Sequence, residues 1–169
     1  MRTLLALAVV GGAVLATAQP VSTPVNLALR IGAAYPIDNN TRDLVKNFIG
    51  AGFDYFFDRS LVAGGETSVS VDWLGKSGSG AHGNIFPMMI NQRWYNPNSS
   101  EEAGTRGYFF LGAGAAIIDV NNSKTVLAAR AGFGREFGEH IFGEINIILS
   151  DDADGARANS AGVYLGYRF

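Results

Sequence analysis

The chain has 169 residues, a length that suggests one domain. Hydrophobic residues make up 47% and charged ones only 17%, below the quarter or so typical of soluble domains. A net charge of −2, with lysine only at positions 46, 76 and 124, excludes a basic nucleic-acid surface. The absence of cysteine excludes a disulfide framework, a thiolate nucleophile and a cysteine metal site.

The N-terminus opens with Arg2, an apolar run from Thr3 to Ala16, and the small-x-small triplet Ala16-Thr17-Ala18 before Gln19-Pro20. This arrangement predicts a cleavable signal peptide over residues 1–18, leaving 19–169 as the mature domain. The alternative, a membrane anchor, is disfavoured because the run falls short of about 20 residues and contains Gly11-Gly12. Nowhere later do 18 apolar residues follow one another. An exported chain of this kind enters a membrane only as strands closed into a barrel.

From Val25 onward the apolar period is 2. In the first segment Val25, Leu27, Leu29, Ile31, Ala33 and Tyr35 share one face, with Asn26, Ala28, Arg30, Gly32 and Ala34 opposite, and Pro36 ends it. A polar connection follows, with a short helical turn expected around Arg42–Lys46. The second segment, Phe48–Phe57, alternates Ile49, Ala51, Phe53, Tyr55 and Phe57 with Phe48, Gly50, Gly52, Asp54 and Phe56. The third, Thr67–Leu74, sets Thr67, Val69, Val71 and Trp73 against Ser68, Ser70 and Asp72, and a Gly/Ser-rich loop follows. In the fourth, Asn84–Tyr95, the residues Phe86, Met88, Ile90, Gln92 and Trp94 face away from Asn91 and Arg93. Pro87 cannot donate a ladder hydrogen bond, so a bulge or a late strand start is expected there.

A polar stretch, Asn96–Thr105, precedes a fifth strand at Gly107–Asp119, apolar on both faces. In the sixth, Thr125, Leu127, Ala129, Ala131 and Phe133 alternate with Val126, Ala128, Arg130, Gly132 and Gly134. In the seventh, Ile141, Gly143, Ile145, Ile147 and Leu149 alternate with His140, Phe142, Glu144, Asn146 and Ser150. Asp151–Asn159 reads as an acidic, flexible loop. The eighth strand sets Ala161, Val163, Leu165, Tyr167 and Phe169 against Ser160, Gly162, Tyr164, Gly166 and Arg168. Eight strands of about ten residues suit a tilted crossing of a bilayer. With an exported N-terminus, the connections Pro36–Lys46, Gly75–Gly83, Val120–Ser123 and Asp151–Asn159 face outside. The fold class expected is therefore an all-β, closed, antiparallel, up-and-down eight-stranded transmembrane barrel.

Charge placement separates this barrel from a soluble, lipocalin-like periplasmic binder, which shares the strand pattern. One face carries Arg30, Asp54, Asp72, Arg93, Arg130, Glu144 and Arg168 among small residues. Such sparse charge is a poor solvent face and a good narrow lumen, where ions must pair because an isolated buried charge is very costly. The other face is almost free of ions, and its aromatics lie mostly near strand ends, as interfacial girdles do.

The signal peptide, the eight strands and the ending Val163-Tyr164-Leu165-Gly166-Tyr167-Arg168-Phe169 resemble small outer-membrane barrels of the OmpA transmembrane-domain, OmpX and OmpW type. The resemblance implies the cell envelope of a Gram-negative-type bacterium. It also implies outer-membrane lipid and lipopolysaccharide as surroundings. The outer-membrane assembly machinery would read Val163, Leu165, Tyr167 and Phe169 as a C-terminal signal. No peptidoglycan-binding domain, and so no cell-wall anchoring role, is expected alongside the barrel.

Some barrels of this size modify lipid A, using a histidine, a serine and a carboxylate that converge. Here His82 sits in the third connection near Ser77 and Ser79, whereas His140 opens strand seven at the opposite rim. Asp151, Asp152 and Asp154 before Gly155 lack the first and closing acids of a calcium loop and read as solvated surface. No catalytic residue, metal or cofactor is expected. The function expected is a non-enzymatic structural or surface-interaction role, with an OmpW-like narrow channel as the alternative; a lipid A-modifying enzyme and a soluble binder stand further back.

Overall fold

Strict alternation leaves each segment two faces, and the chain uses both by winding into one sheet closed on itself. The computed structural model describes residues 26–76, 83–96, 105–119 and 123–169. Its strands are β1 (Leu27–Pro36), β2 (Phe48–Phe56), β3 (Glu66–Lys76), β4 (Asn84–Tyr95), β5 (Thr105–Asp119), β6 (Ser123–Phe137), β7 (Ile141–Ser150) and β8 (Ser160–Arg168). Each pairs antiparallel with the next, and β8 returns to β1, with Ile31 opposite Leu165, so no strand edge stays open. The signal-peptide segment lies outside the described residues, as do His82, Ser77 and Ser79.

The register buries six of the seven ions of the sparse face and leaves Arg168 partly exposed at the rim. Arg30, Arg130 and Glu144 are each 3% exposed, whereas Ile31, Leu127 and Ile145 on the other face are 69%, 72% and 56% exposed. No helix among the described residues is long and apolar enough to cross a membrane. The apolar surface is instead the outer wall of the barrel.

Pro87 changes less than its chemistry suggested. β4 starts at Asn84, and its pairing with β5 runs unbroken through Pro87 opposite Ala116. On the β3 side the ladder lapses between Val71↔Met88 and Leu74↔Ile85, then resumes in the same register. The missing N–H costs local bonds toward one neighbour and creates neither a bulge nor a delayed start.

The first connection holds a helix, α1 (Asn39–Leu44), slightly earlier than expected, because Asp38 caps it by accepting from the Thr41 N–H at 3.1 Å. The acidic last connection is not loose. Asp154 and Gly155 take positive φ values of 53° and 85°, which reverse the chain so that Ala153 and Ala156 bond each other. Thr41 then joins the two connections: its hydroxyl donates to the Arg157 carbonyl at 3.0 Å and accepts from the Arg157 N–H at 3.0 Å. The Ile37 N–H adds a bond to the Asn159 carbonyl. Beneath this cap, Val45, Phe48, Leu74, Ile85, Met89, Ile118, Ile148 and the alanines of the last connection form an apolar plug.

Candidate functional site

Below the plug lies the charged layer. Arg30 reaches across the lumen, with Nη2 2.7 Å from Asp72 Oδ1, Nη1 3.0 Å from Glu144 Oε2 and Nη2 3.4 Å from Asp54 Oδ1. Arg130 takes the other oxygen of Asp72 and donates to Ser70 Oγ at 3.3 Å. Arg93 closes the group on Glu144, at 3.3 Å. Three guanidinium groups thus face three carboxylates, all nearly inaccessible to solvent. Only such mutual pairing makes burial of six ions tolerable.

Small residues create the room. Gly52 lies opposite Arg30 on β1 and opposite Asp72 on β3. A Cβ there would stand 2.1 Å from Asp72 Oδ1 and 2.5 Å from Arg30 Nε, so only glycine lets this pair cross β2. Gly50 likewise leaves space for the ring of Tyr164.

Arg93 also marks a third, aromatic layer. Its guanidinium lies 3.9 Å from the Tyr108 ring centre and 5.0 Å from that of Phe56, while Tyr108 donates to Glu144 at 3.0 Å. Arginine faces combine well with aromatic rings in this way.

Of the seven sequence-derived lumen ions, Arg30, Asp54, Asp72, Arg93, Arg130 and Glu144 stand together. Arg168 stands apart, at the rim near the chain terminus, with Nη1 3.2 Å from Glu66 Oε2 and its guanidinium 4.2 Å from the Phe56 ring centre. A second rim group adds Glu136, 2.8 Å from Arg106 Nη2 and 3.6 Å from Arg93 Nη1. The Tyr95 hydroxyl lies 2.8 Å from both Glu66 and Glu136. Glu66, Glu136 and Arg106 lie just beyond the sequence-predicted segments, which start at Thr67, end at Gly134 and start at Gly107, respectively. Extending each strand by its period would have placed Glu66 and Glu136 on the inner face.

His140, which the alternation places on the inner face of strand seven, belongs instead to the turn before β7. Its ring stacks on outward-facing Tyr167 at 5.1 Å, and Nδ1 lies 2.8 Å from the Arg168 carbonyl. Asp152 accepts from the Gly155 N–H, and Asp154 pairs with Lys124. Val163, Leu165, Tyr167 and Phe169 all lie exposed on the outer wall at the β8 seam.

No protein-family model matches the chain, and no curated protein matches it in sequence. Solved structures do match. The N-terminal β-barrel domain of Pseudomonas aeruginosa OprF superposes with a TM-score of 0.53 at 15% identity, over 87% of this chain and 100% of that one. The fold is that of the small eight-stranded outer-membrane barrels. Ail, the attachment invasion locus protein of Yersinia pestis, matches with a TM-score of 0.53 at 17% identity, over 87% of this chain and 100% of its own. PagL, described as an outer-membrane enzyme, matches with a TM-score of 0.54 at 12% identity, over 85% and 97%. At these identities the likeness is one of fold. Outer-membrane barrels of this shape thus include an attachment invasion locus protein and an enzyme, and the shape alone sets no role.

Proposed function

We propose that this chain is exported by its N-terminal signal segment and resides in the outer membrane as a plugged, non-enzymatic anchor whose outward connections carry a structural or surface-interaction role. The single observation behind this reading is the stacking of three buried side-chain layers inside the barrel among the described residues. An apolar plug, a neutralised ion layer and an aromatic layer succeed one another along the axis. Eight strands enclose a bore that side chains suffice to fill. What remains available for recognition is the capped end, where α1 and the last connection are held together by Thr41 and Arg157.

The outer membrane supplies lipid and lipopolysaccharide around the belt. The assembly machinery is the proposed reader of Val163, Leu165, Tyr167 and Phe169, which face outward on the strand that closes the cylinder. His140 is occupied by Tyr167 and a backbone carbonyl, neither of them a serine or an acid, which supports the non-enzymatic reading.

The test is single-channel recording of purified protein in planar bilayers. Membranes that stay electrically silent at high protein concentration fit the anchor; reproducible unitary steps would replace it with the narrow channel. Mass spectrometry of lipid A with and without the protein checks the enzyme, with an unchanged acylation pattern expected.

A further inference from the structure

The connection between β2 and β3 does not hang from the rim. It folds back along the outer wall and covers polar groups that the register aims outward. Thr67 and Gln92 have the parity of the apolar belt, yet Thr67 is fully buried. The Thr67 hydroxyl donates to Gln92 Oε1 at 2.6 Å and accepts from the Leu61 N–H at 2.7 Å. Gln92 Nε2 donates to Ser60 Oγ at 2.9 Å. Every member of this group therefore finds its partner within the flap and the wall, which is what polar groups require beside hydrocarbon.

The flap leaves two apolar side chains uncovered. Leu61 is 74% exposed, more than any large residue of the belt itself, and Val62 is 49% exposed. Between these two and the β4–β5 wall runs a groove of about 280 Å³, bounded by Ile90, Leu111 and Ala113. The groove is lined almost wholly by apolar atoms and opens outward, as a seat for one extended hydrocarbon chain requires. Ala113 pairs with Ile90 well inside the strand pair that Tyr108 and Tyr95 begin. At ~3.3 Å per residue, about five residues of β5 place the groove ~16 Å along the strand from that rim. Its walls continue the lipid-facing belt.

We infer that the β2–β3 flap is a membrane-embedded clasp that seats one phospholipid acyl chain between Leu61, Val62 and the β4–β5 wall. Its polar underside hides Thr67 and Gln92 from hydrocarbon, and its apolar tip meets the leaflet. The inference rests on the membrane-spanning reading of the barrel.

The absence of cysteine makes single-site labelling clean. Leu61→Cys and, separately, Ile31→Cys, each carrying a polarity-sensitive fluorophore, are refolded into vesicles of phosphatidylethanolamine and phosphatidylglycerol with brominated acyl chains. Ile31 lies on the belt far from the flap and reports membrane insertion alone. Strong quenching at both positions is expected. Adding Ala113→Phe, which fills the groove, is expected to reduce quenching at position 61 to the part contributed by the surrounding leaflet, and to leave position 31 unchanged. Quenching at 31 but not at 61 would leave the barrel reading intact and overturn the clasp. Quenching at 61 that Ala113→Phe leaves unchanged would overturn the seated chain. No quenching at either position would overturn the membrane reading and the clasp with it.

Discussion

Arg30 and Asp72 meet across an intervening strand: Nη2 of one stands 2.7 Å from Oδ1 of the other, over the bare backbone of Gly52. Adjacent strands usually pair neighbours directly. Here a glycine lets β1 contact β3, and the lumen gains a bond that ties three strands. Gly52→Ala would thrust a methyl between the two ions. Unfolding in urea from detergent micelles should show a loss of about 1–3 kcal/mol, the ordinary cost of overpacking, with the barrel still forming. A variant as stable as the parent would mean that the crossing pair contributes little.

The six buried ions are not equally held. Glu144 bonds Arg30, Arg93 and Tyr108, whereas Asp54 has one contact at 3.4 Å and an oxygen without a hydrogen-bond partner in the protein. Glu144→Gln leaves two buried guanidinium groups undercompensated and should cost about 3–5 kcal/mol in the same titration. Asp54→Asn should cost less. At the rim, where Glu66 and Arg168 are partly exposed, Glu66→Gln should cost under about 1 kcal/mol. An inverted order would contradict the layered picture.

Thr41 holds the cap over the apolar plug through two hydrogen bonds to Arg157. Thr41→Val keeps the shape and removes both, leaving the Arg157 backbone groups without this partner. A global loss of about 1–3 kcal/mol is expected, from net values of about 0.5–1.5 kcal/mol per bond. The sharper readout is local: amide exchange in residues 151–159 should accelerate while β1 and β8 keep their protection.

The outer wall has its own signature. Ile145 lies midway along β7 and is exposed. Ile145→Arg should lower folding stability in lipid vesicles by about 2–4 kcal/mol, the cost of a cation near the bilayer midplane. A soluble barrel would accept the same change with almost no loss, since the site would face water.

Much of this was legible in the sequence because a strand offers only two faces. Arg30, Arg130 and Glu144 fall on one parity and Leu29, Leu127 and Ile145 on the other, and closure of the sheet makes one parity inner. Strand ends were harder: Glu66, Arg106 and Glu136 lie where alternation runs into turn chemistry, so the rim group stayed hidden until β3, β5 and β6 proved longer. Contacts between connections left no local trace. Nothing near Thr41 points to Arg157, and nothing near Ser60 points to Gln92, because those encounters depend on how β1–β2 and β2–β3 are placed by the whole cylinder. Parity alone put Thr67 against lipid, whereas the flap buries it.

The most direct check of a closed barrel with lipid on its oily side is migration of the membrane fraction on SDS gels, with and without boiling. The unboiled protein should run as a compact, faster band that shifts to its unfolded position on boiling, because a sheet without edges resists the detergent until heated. A single band of unchanged mobility, or recovery of the protein in the soluble fraction without detergent, would contradict the fold's placement in a membrane.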